Sequence, residues 1–262
     1  MRLAGKIAVI IGAGQGPGEG LGNGRATALR FAQEGAQVLA VDRDIVSAEA
    51  TVAMMGSGAA FAADVTVEAD MKACIEEAQR RWGRVDILHY NVGVSIAGGD
   101  ASPTEITEAA FDRITAINLR GLVMAVKHVL PIMRAQESGV ILSISSAAAR
   151  HNYPYVTYKA TKAAMIAYTE QVAIQNARHG IRCNIILPGL MDTPMAVDTR
   201  ARATNRSRAE VAAERDARVP LRGKMGTAWD VANAALFLAS DEANFITGVA
   251  LPVDGGTVVN VV

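Results

Sequence analysis

The sequence predicts a single α/β domain, residues 1–262, built as a doubly wound parallel sheet of the Rossmann type. Short runs of Val, Ile and Leu alternate along the chain with segments of helical spacing. Strands that are apolar throughout are typical of parallel sheets, because helices cover both faces. A glycine-rich turn follows the first run, and no Pro- or Ser-rich linker divides the 262 residues.

The periodicity of the apolar residues predicts the secondary-structure elements. Short continuous apolar runs indicate strands, and apolar residues repeated about every 3.6 positions indicate helices. The predicted strands are residues 7–11, 37–41, 87–90, 140–144, 182–187 and 249–253. The predicted helices are residues 26–34, 67–82, 111–133, 157–178 and 229–239. Residues 192–226 include an Arg-, Ala- and Glu-rich stretch without a long apolar stripe. We expect a small mobile helical lobe over the substrate there, because acidic residues interrupt what could otherwise be a nucleic-acid patch.

Composition excludes several classes of function. Lys+Arg and Asp+Glu both number 26, so no net charge would attract nucleic acid or an acidic membrane surface. The two cysteines and four histidines show no disulfide or metal spacing, so no metal is expected. No apolar run approaches membrane-spanning length, and the N-terminus lacks a signal-peptide pattern. A cytoplasmic protein is expected.

The turn after the first strand contains a glycine at every second position from Gly12 to Gly24, and a helix follows it. Strand, glycine turn and helix N-terminus together are typical of a dinucleotide site, because the backbone can approach a pyrophosphate closely. The alternative is a flexible loop without a ligand. We expect residues 14–20 to cover the pyrophosphate or adenosine half of the cofactor rather than the substrate.

The second strand is followed by Asp42 and Arg43. A carboxylate at this point can accept hydrogen bonds from the adenosine ribose hydroxyls and would repel a 2′-phosphate. Asp42 therefore favours NAD over NADP. Arg43 is a complication, because a guanidinium could neutralise that phosphate.

Tyr158 and Lys162 are four residues apart in a predicted helix, so their side chains share one face. A lysine ammonium beside a phenol stabilises the phenolate and lowers the pKa of the tyrosine. The pair alone is weak support for catalysis, because this spacing also occurs by chance. It predicts a tyrosine that exchanges a proton near neutral pH.

Several short motifs follow one another along the chain: Asp64-Val65, Asn91-Val92-Gly93, Asn118, Ser143-Ile144-Ser145-Ser146, Tyr158 with Lys162, Pro188-Gly189 with Thr193, Ile246-Thr247-Gly248 and Val253-Asp254-Gly255-Gly256. In these motifs and in their order, the chain resembles the short-chain dehydrogenase/reductases over nearly its whole length.

The resemblance implies hydride transfer between NAD(H) and a secondary alcohol or ketone. Tyr158 would be the acid/base, Ser146 would donate to the substrate oxygen, and Lys162 would lower the Tyr158 pKa and hold the nicotinamide ribose. Asn118 would anchor a water, and a homotetramer is implied. The implied cofactor contacts are Gly12, Gly18, Gly22, Gly24, Asp42, Arg43, Asp64, Val65, Asn91, Gly93, Tyr158, Lys162, Pro188, Gly189 and Thr193.

The chain departs from the family pattern in ways that leave alternatives open. The usual spacing from serine to tyrosine points to Ser145, whereas the position in the strand points to Ser146, which we prefer. Ile11 replaces the usual threonine before the first glycine. The glycine turn is longer than usual and resembles that of the enoyl-acyl-carrier reductases. The close Tyr158–Lys162 spacing favours carbonyl chemistry. An enoyl-thioester reductase and a non-catalytic NAD-binding regulator are the alternatives.

The substrate itself cannot be identified from the sequence, although candidate pocket residues can. They suggest a largely apolar pocket, in which Arg150 is the one candidate cation for an acidic substrate. The candidates are Ser95, Ala148, Tyr153, Tyr155, Leu190, Met191 and Met195.

Overall fold

The computed structural model describes residues 1–260, which contain nine strands. Seven of them form one parallel sheet in the order β3-β2-β1-β4-β5-β6-β9, so the prediction of a doubly wound fold is confirmed. The strands are β1 (Ile7–Ile11), β2 (Gln37–Asp42), β3 (Ala59–Ala62), β4 (Ile87–Tyr90), β5 (Gly139–Ile144), β6 (Ile181–Pro188), β7 (Met191–Asp192), β8 (Gly226–Thr227) and β9 (Ala250–Val253).

Helices cover both faces of this sheet. The alternating side chains of the strands form two separate cores, one against α3, α5 and α6 and the other against α1 and α9. The helices are α1 (Asn23–Gln33), α2 (Ile45–Met55), α3 (Glu68–Trp82), α4 (Glu108–Thr115), α5 (Gly121–Gln136), α6 (Val156–Asn176), α7 (Thr199–Thr204), α8 (Arg208–Asp216) and α9 (Ala228–Ala239).

The sheet positions the site through its strand order. β1 lies between β2 and β4, so the chain runs outward in one direction from β1 to β3 and in the other from β4 to β9. Ligands of such sheets bind at the carboxyl ends of the strands where this order reverses. Gly12, which follows β1, and Asn91, which follows β4, mark that point here.

The predicted elements are present, but one strand of the main sheet, one helix and the short strands β7 and β8 were missed. The alanine-rich strand β3 has no β-branched residue to indicate it, and helix α2 was also missed. The single helix predicted over 111–133 is α4 and α5, joined without a gap by the π-helical turn Ala116–Arg120.

The expectation that no segment reaches membrane-spanning length is wrong in its literal form. The continuous helical stretch Glu108–Gln136 is long and apolar enough to cross a membrane by length and composition. Its apolar face, which includes Leu122, Val126 and Met133, is buried in the core shared with α3. The fold therefore accounts for its apolar character.

Residues 192–226 form a small helical segment, and its role as a mobile lobe over the substrate stays a prediction. It contains the π-helical turn Pro194–Asp198, α7 and α8, and the short pair β7–β8 lies at its base. Val197, Val211 and Val219 belong to a small apolar core of its own.

One buried histidine lies in the centre of the sheet. His89, on β4, is fully buried, and neither ring nitrogen has a hydrogen-bond partner. Its ring contacts Phe31 edge to face, with 6.2 Å between centroids. Burial lowers the pKa of His89 from 6.5 to about 3, since there is no acceptor for a second ring proton.

We predict that His89 makes folding stability depend on pH. Below pH 6.5 the unfolded chain binds a proton at His89 that the folded chain does not, so acid favours unfolding until the pH reaches about 3. The free energy of unfolding should fall by up to about 1.4 kcal/mol per pH unit across this window. The change in the free energy of unfolding with pH is measured by urea unfolding of the unaltered protein and of the His89→Leu variant at several pH values.

The variant should lose less stability on acidification than the unaltered protein. His179→Gln, at a partly exposed position, is the matched control and should behave like the unaltered protein. Parallel stability curves for His89→Leu and the unaltered protein would contradict the account.

Candidate active site

The predicted tyrosine and serine lie together at the carboxyl end of the sheet. Tyr158 is in the first turn of α6, and Ser146 follows β5. The Ser146 hydroxyl acts on the Tyr158 phenol, because it opposes the rise in the Tyr158 pKa that burial causes. The Ser146 Oγ also accepts a hydrogen bond of 3.1 Å from the Ala148 N–H, which fixes the serine side chain toward the tyrosine.

Ser145 has a different environment. It is buried, and its Oγ donates a 2.7 Å hydrogen bond to the Lys162 carbonyl oxygen. The hydroxyl of Ser145 therefore fastens α6 to the end of β5, whereas that of Ser146 faces Tyr158. This geometry favours Ser146 as the substrate donor.

The expected effect of Lys162 on Tyr158 is absent from this arrangement. The Lys162 Nζ donates to the carbonyl oxygens of Val92 (3.2 Å) and Ile144 (2.8 Å), and it lies 5.8 Å from the Tyr158 ring centroid. Burial raises the pKa of Tyr158 to about 12, opposed by the Ser146 hydrogen bond and the Arg200 charge. The prediction that Lys162 lowers this pKa is therefore wrong, because the Lys162 Nζ is directed at backbone carbonyls instead.

Lys162 is itself deeply buried. Its exposed fraction is 2%, and burial lowers the pKa of its ammonium to about 7. Gly93 makes room for it, because a Cβ at that position would lie 2.9 Å from the Nζ. The glycine in Asn91-Val92-Gly93 is thus explained by the lysine.

Asn118 lies in the π-helical turn between α4 and α5 and is fully buried. Its Oδ1 accepts from the Val94 N–H, and its Nδ2 donates to the Val94 carbonyl and to the Thr161 Oγ1. Both amide protons are therefore used within the protein. Its side chain therefore holds the segment after β4 against α6, and its role in anchoring a water stays a prediction.

Asp100 is a structural determinant of the site that was not predicted. The first turn of α6 begins after Tyr155, whose side chain provides no cap. The buried Asp100 carboxylate accepts hydrogen bonds from the N–H groups of Thr157 (3.0 Å) and Tyr158 (2.9 Å). The missing local cap was the only sequence signal, and it could not indicate which distant acid supplies the cap.

Close backbone packing forms the predicted cofactor cradle. Gly12 has a φ of +83°, and a Cβ there would lie 2.5 Å from the Asn91 carbonyl oxygen. A Cβ on Gly24 would overlap the Gly12 carbonyl oxygen, so α1 could not approach β1. The Asn91 Nδ2 donates to the Gly12 carbonyl, which links the ends of β1 and β4.

The start of α1 fits a pyrophosphate. Gly22 precedes the helix, no side chain caps it, and its first turn contains no acidic residue. Free N–H groups and the positive end of the helix dipole are what an anion needs. The residues present therefore fit a dinucleotide. Among residues 1–260 no group of three His, Cys, Asp or Glu side chains could hold a metal ion.

Asp42 lies at the end of β2 beside the glycine turn. Its Oδ2 accepts from the Gly14 N–H (2.9 Å), and its Oδ1 accepts from the Asp44 N–H (3.1 Å). Arg43 is exposed. This carboxylate is at the edge where the adenosine half of a dinucleotide would bind.

The other predicted cofactor residues lie on neighbouring segments at the carboxyl end of the sheet. Asp64 is exposed after β3 and accepts from the Thr66 N–H, while Val65 is buried. Pro188 ends β6, and Gly189 donates to the Val253 carbonyl. Thr193 caps the first helical turn of the lobe by accepting from the Ala196 N–H.

The structure places Gly18 away from this cradle. A Cβ on Gly18 would lie 2.9 Å from the Pro194 Cβ and 2.7 Å from the Asp198 Cγ, so Gly18 packs against the lobe. The Glu19 N–H also donates to the Asp198 Oδ1. The long turn therefore bridges two regions, since Gly14 contacts Asp42 and Gly18 contacts the lobe. The expectation that residues 14–20 cover the pyrophosphate or adenosine half of the cofactor rather than the substrate stays a prediction.

The predicted pocket residues divide into two groups. The Tyr153 ring packs against the rings of Tyr158 and Tyr155, and its hydroxyl lies 3.0 Å from the Ser95 Oγ. Ala148 is buried near Ser146, and Met195 is about half exposed. By contrast, Met191 packs into the main core and Leu190 into the lobe core, so neither is free to line a pocket.

Arg150, the candidate cation for an acidic substrate, stays a prediction. Arg150 is exposed. Arg200, in the lobe, lies close enough to the Tyr153 and Tyr158 phenols for its charge to oppose the rise in their pKa that burial causes.

Comparison with known proteins agrees with this geometry. A family model described as enoyl-(acyl carrier protein) reductase matches residues 19–258. Sorbitol dehydrogenase from Cereibacter sphaeroides is 38% identical over 263 residues, covering 98% of each chain. Levodione reductase from Leifsonia aquatica is 35% identical over 247 residues, covering 91% of each. The crystal structure of levodione reductase superposes with a TM-score of 0.91 at 31% identity, covering 98% of this chain and 99% of that one. This chain therefore belongs to the short-chain dehydrogenase/reductase family.

Proposed function

We propose that this protein is an oxidoreductase that transfers a hydride between NAD(H) and a secondary alcohol or ketone. The observation that carries the proposal is that Tyr158, in the first turn of α6, and Ser146, which follows β5, lie at the same end of the sheet as the glycine cradle. Relatives named sorbitol dehydrogenase and levodione reductase support the same class of substrate. The nicotinamide would supply or accept the hydride, and the protein would supply the proton and the orientation.

The side chains suit reduction of a carbonyl group. With a pKa of about 12, Tyr158 is protonated at neutral pH and can give its proton to a developing alkoxide. Ser146 can donate a second hydrogen bond to the same oxygen, which stabilises the charge that develops there. Because the Ala148 N–H fixes the Ser146 side chain and the Asp100 cap fixes the backbone at Tyr158, little reorganisation is needed.

Lys162 would hold the nicotinamide ribose. Its Nζ lies between the segments that follow β4 and β5, at the edge where the nicotinamide half of the cofactor would bind. Asp42 would accept from the hydroxyls of the adenosine ribose, and the start of α1 would bind the pyrophosphate.

An enoyl-thioester reductase is the second candidate, and the description of the matching family model favours it. The close Tyr158–Lys162 pair and its serine partner favour carbonyl reduction instead. Parallel NADH-oxidation assays with ketones and with an enoyl thioester separate the two. A non-catalytic NAD-binding regulator would not consume NADH with either the ketones or the enoyl thioester.

The homotetramer and the cytoplasmic location remain predictions. The homotetramer rests on the family resemblance, and sedimentation velocity would measure it.

We predict that Tyr158→Phe lowers kcat for ketone reduction by about 10²- to 10⁴-fold, because only the hydroxyl transfers the proton. NADH affinity should change little, since the ring keeps its packing against Tyr153. Steady-state kinetics and NADH fluorescence titration provide the two measurements. Retention of more than about a tenth of the activity would exclude Tyr158 as the acid.

The two serines provide a matched comparison for this experiment. Ser146→Ala should lower kcat while the melting temperature stays near that of the unaltered protein. Ser145→Ala should mainly lower the melting temperature, because it removes the hydrogen bond to the Lys162 carbonyl. The opposite result would assign the substrate hydrogen bond to Ser145.

We also predict a preference for NADH over NADPH that depends on the charge of Asp42. A carboxylate about 4 Å from a phosphate charge costs on the order of 1 kcal/mol even in water, which is several-fold in affinity. Asp42→Asn removes the charge but keeps an oxygen for the Gly14 N–H. The Asp42→Asn variant should therefore have a smaller ratio of kcat/KM with NADH to kcat/KM with NADPH. If the unaltered enzyme has an equal or higher kcat/KM with NADPH, Arg43 rather than Asp42 determines the choice of cofactor.

A further inference from the structure

Hydrogen bonds connect a buried carboxylate to the phenol of Tyr153. The Asp100 Oδ2 lies 3.2 Å from the Ser95 Oγ, and the same Ser95 Oγ lies 3.0 Å from the Tyr153 hydroxyl oxygen. Asp100 and Ser95 are buried in the segment that follows β4, whereas Tyr153 precedes α6 and is only partly buried. The fold therefore joins these three side chains from two separate segments.

The direction of these hydrogen bonds follows from the protons available. The Asp100 carboxylate accepts from the N–H groups of Thr157 and Tyr158 at the start of α6, where the helix dipole favours a negative charge. An ionised carboxylate only accepts, so the single proton of the Ser95 hydroxyl goes to Asp100. The Ser95 Oγ is therefore an acceptor toward Tyr153, and the phenol gives its own proton to Ser95.

This arrangement fixes what the Tyr153 oxygen offers to a ligand. Burial raises the pKa of Tyr153 above the ordinary value of tyrosine, so the phenol keeps its proton at neutral pH. Since that one proton is used by Ser95, the oxygen has lone pairs but no proton for any other group. Toward a ligand, the Tyr153 oxygen is a hydrogen-bond acceptor only.

Tyr153 is in direct contact with the tyrosine assigned to proton transfer. The rings of Tyr153 and Tyr158 pack with 5.4 Å between their centroids and 39° between their planes, which is within the range of aromatic pairs. The side chain that donates a proton and the side chain that only accepts a hydrogen bond are therefore neighbours. A ketone bound at Tyr158 would have Tyr153 beside it.

We infer that Tyr153 selects α-hydroxy ketones, in which a hydroxyl group lies on the carbon beside the ketone. The ketone oxygen would accept from Tyr158 and Ser146, and the neighbouring hydroxyl would donate to the Tyr153 oxygen. This inference rests on the proposed ketone reduction and specifies its substrate class. An ether at the same place would face the Tyr153 oxygen with lone pairs, and an alkyl group would leave that oxygen unpaired.

The test uses two pairs of ketones matched in size. Hydroxyacetone and butan-2-one differ by a hydroxyl in place of a methyl group, and methoxyacetone and pentan-2-one differ by a methoxy in place of an ethyl group. Both oxygen substituents draw electrons from the carbonyl, but only the hydroxyl can donate a hydrogen bond. The ratio of kcat/KM within the first pair, divided by the ratio within the second, is the donor preference. In the unaltered enzyme it should be about 3- to 10-fold, the worth of one hydrogen bond.

Tyr153→Phe should lower the donor preference to about one, because it keeps the ring and removes the accepting oxygen. Tyr155→Phe is the matched control, since it removes the hydroxyl of another tyrosine whose ring contacts Tyr153. The control should keep the donor preference of the unaltered enzyme. A donor preference near one in the unaltered enzyme, or one that persists in Tyr153→Phe, would overturn the inference.

Ser95→Ala tests the direction of the hydrogen bonds. Without the Ser95 oxygen, the proton of Tyr153 is free, and the phenol can donate to a methoxy oxygen as well as accept from a hydroxyl. kcat/KM for methoxyacetone should therefore rise relative to pentan-2-one, and the donor preference should fall although Tyr153 is still present. If the donor preference stays at the value of the unaltered enzyme, Ser95 only fills space and the assigned direction is wrong.

A binding measurement separates the failure of this inference from that of the proposed function. Hydroxyacetone should raise the melting temperature of the NAD⁺ complex, in which the ketone cannot be reduced, and should raise it less in Tyr153→Phe. If no ketone is reduced with NADH and this difference persists, ketone reduction is wrong and the hydroxyl site stands. If all four ketones are reduced without a donor preference and the two proteins show equal shifts, the hydroxyl site is wrong and ketone reduction stands.

Discussion

The site depends on a buried ammonium that two central strands hold at their carboxyl ends. The Lys162 Nζ donates to the carbonyl oxygens of Val92 and Ile144, which lie where β4 and β5 stop and the ladder no longer uses them. A charge with an exposed fraction of 2% needs such partners. The position of the Lys162 Nζ also requires glycine at position 93, because a side chain there would displace the Nζ.

The same contacts fix α6, and α6 fixes Tyr158. Ser145 binds the Lys162 carbonyl, Asp100 caps the first turn, and Asn118 donates to Thr161. These three anchors come from separate segments that the sheet brings to one edge. The backbone at Tyr158 is therefore fixed by contacts within the protein, which reduces the entropy lost when a substrate is oriented. Burial keeps Tyr158 protonated, so the resting protein is prepared to donate a proton rather than to accept one.

The sequence predicted the elements with strong patterns and the residues within them. The Val/Ile/Leu strands, the glycine turn and the spacing of Tyr158 and Lys162 gave the sheet, the cradle and the shared helix face, because these depend on local periodicity. Helix α2 and the alanine-rich β3 were missed, and β3 has no apolar run of large side chains. Helical spacing also could not give the direction of the Lys162 side chain, which is set by carbonyls about 70 and 18 residues away.

Contacts between residues far apart in the chain also could not be predicted from the sequence. Asp100 caps a helix 57 residues further along the chain, and periodicity carries no information about such a pair. The arginine-rich lobe was noticed, but the charge pattern could not show that Arg215 is buried while its neighbouring acids pair with other groups. In both cases the tertiary structure decides which charges meet.

The most direct test of this account is an ultraviolet titration of tyrosinate in the ligand-free enzyme, with Tyr158→Phe as the reference. The account predicts that the difference between the two proteins shows no phenolate at any pH below about 10, the ordinary pKa of tyrosine. It also predicts that Lys162→Met leaves this result unchanged, because the ammonium is held by backbone carbonyls rather than by the phenol. A phenolate signal of one tyrosine that titrates near neutral pH and disappears in Lys162→Met would contradict it.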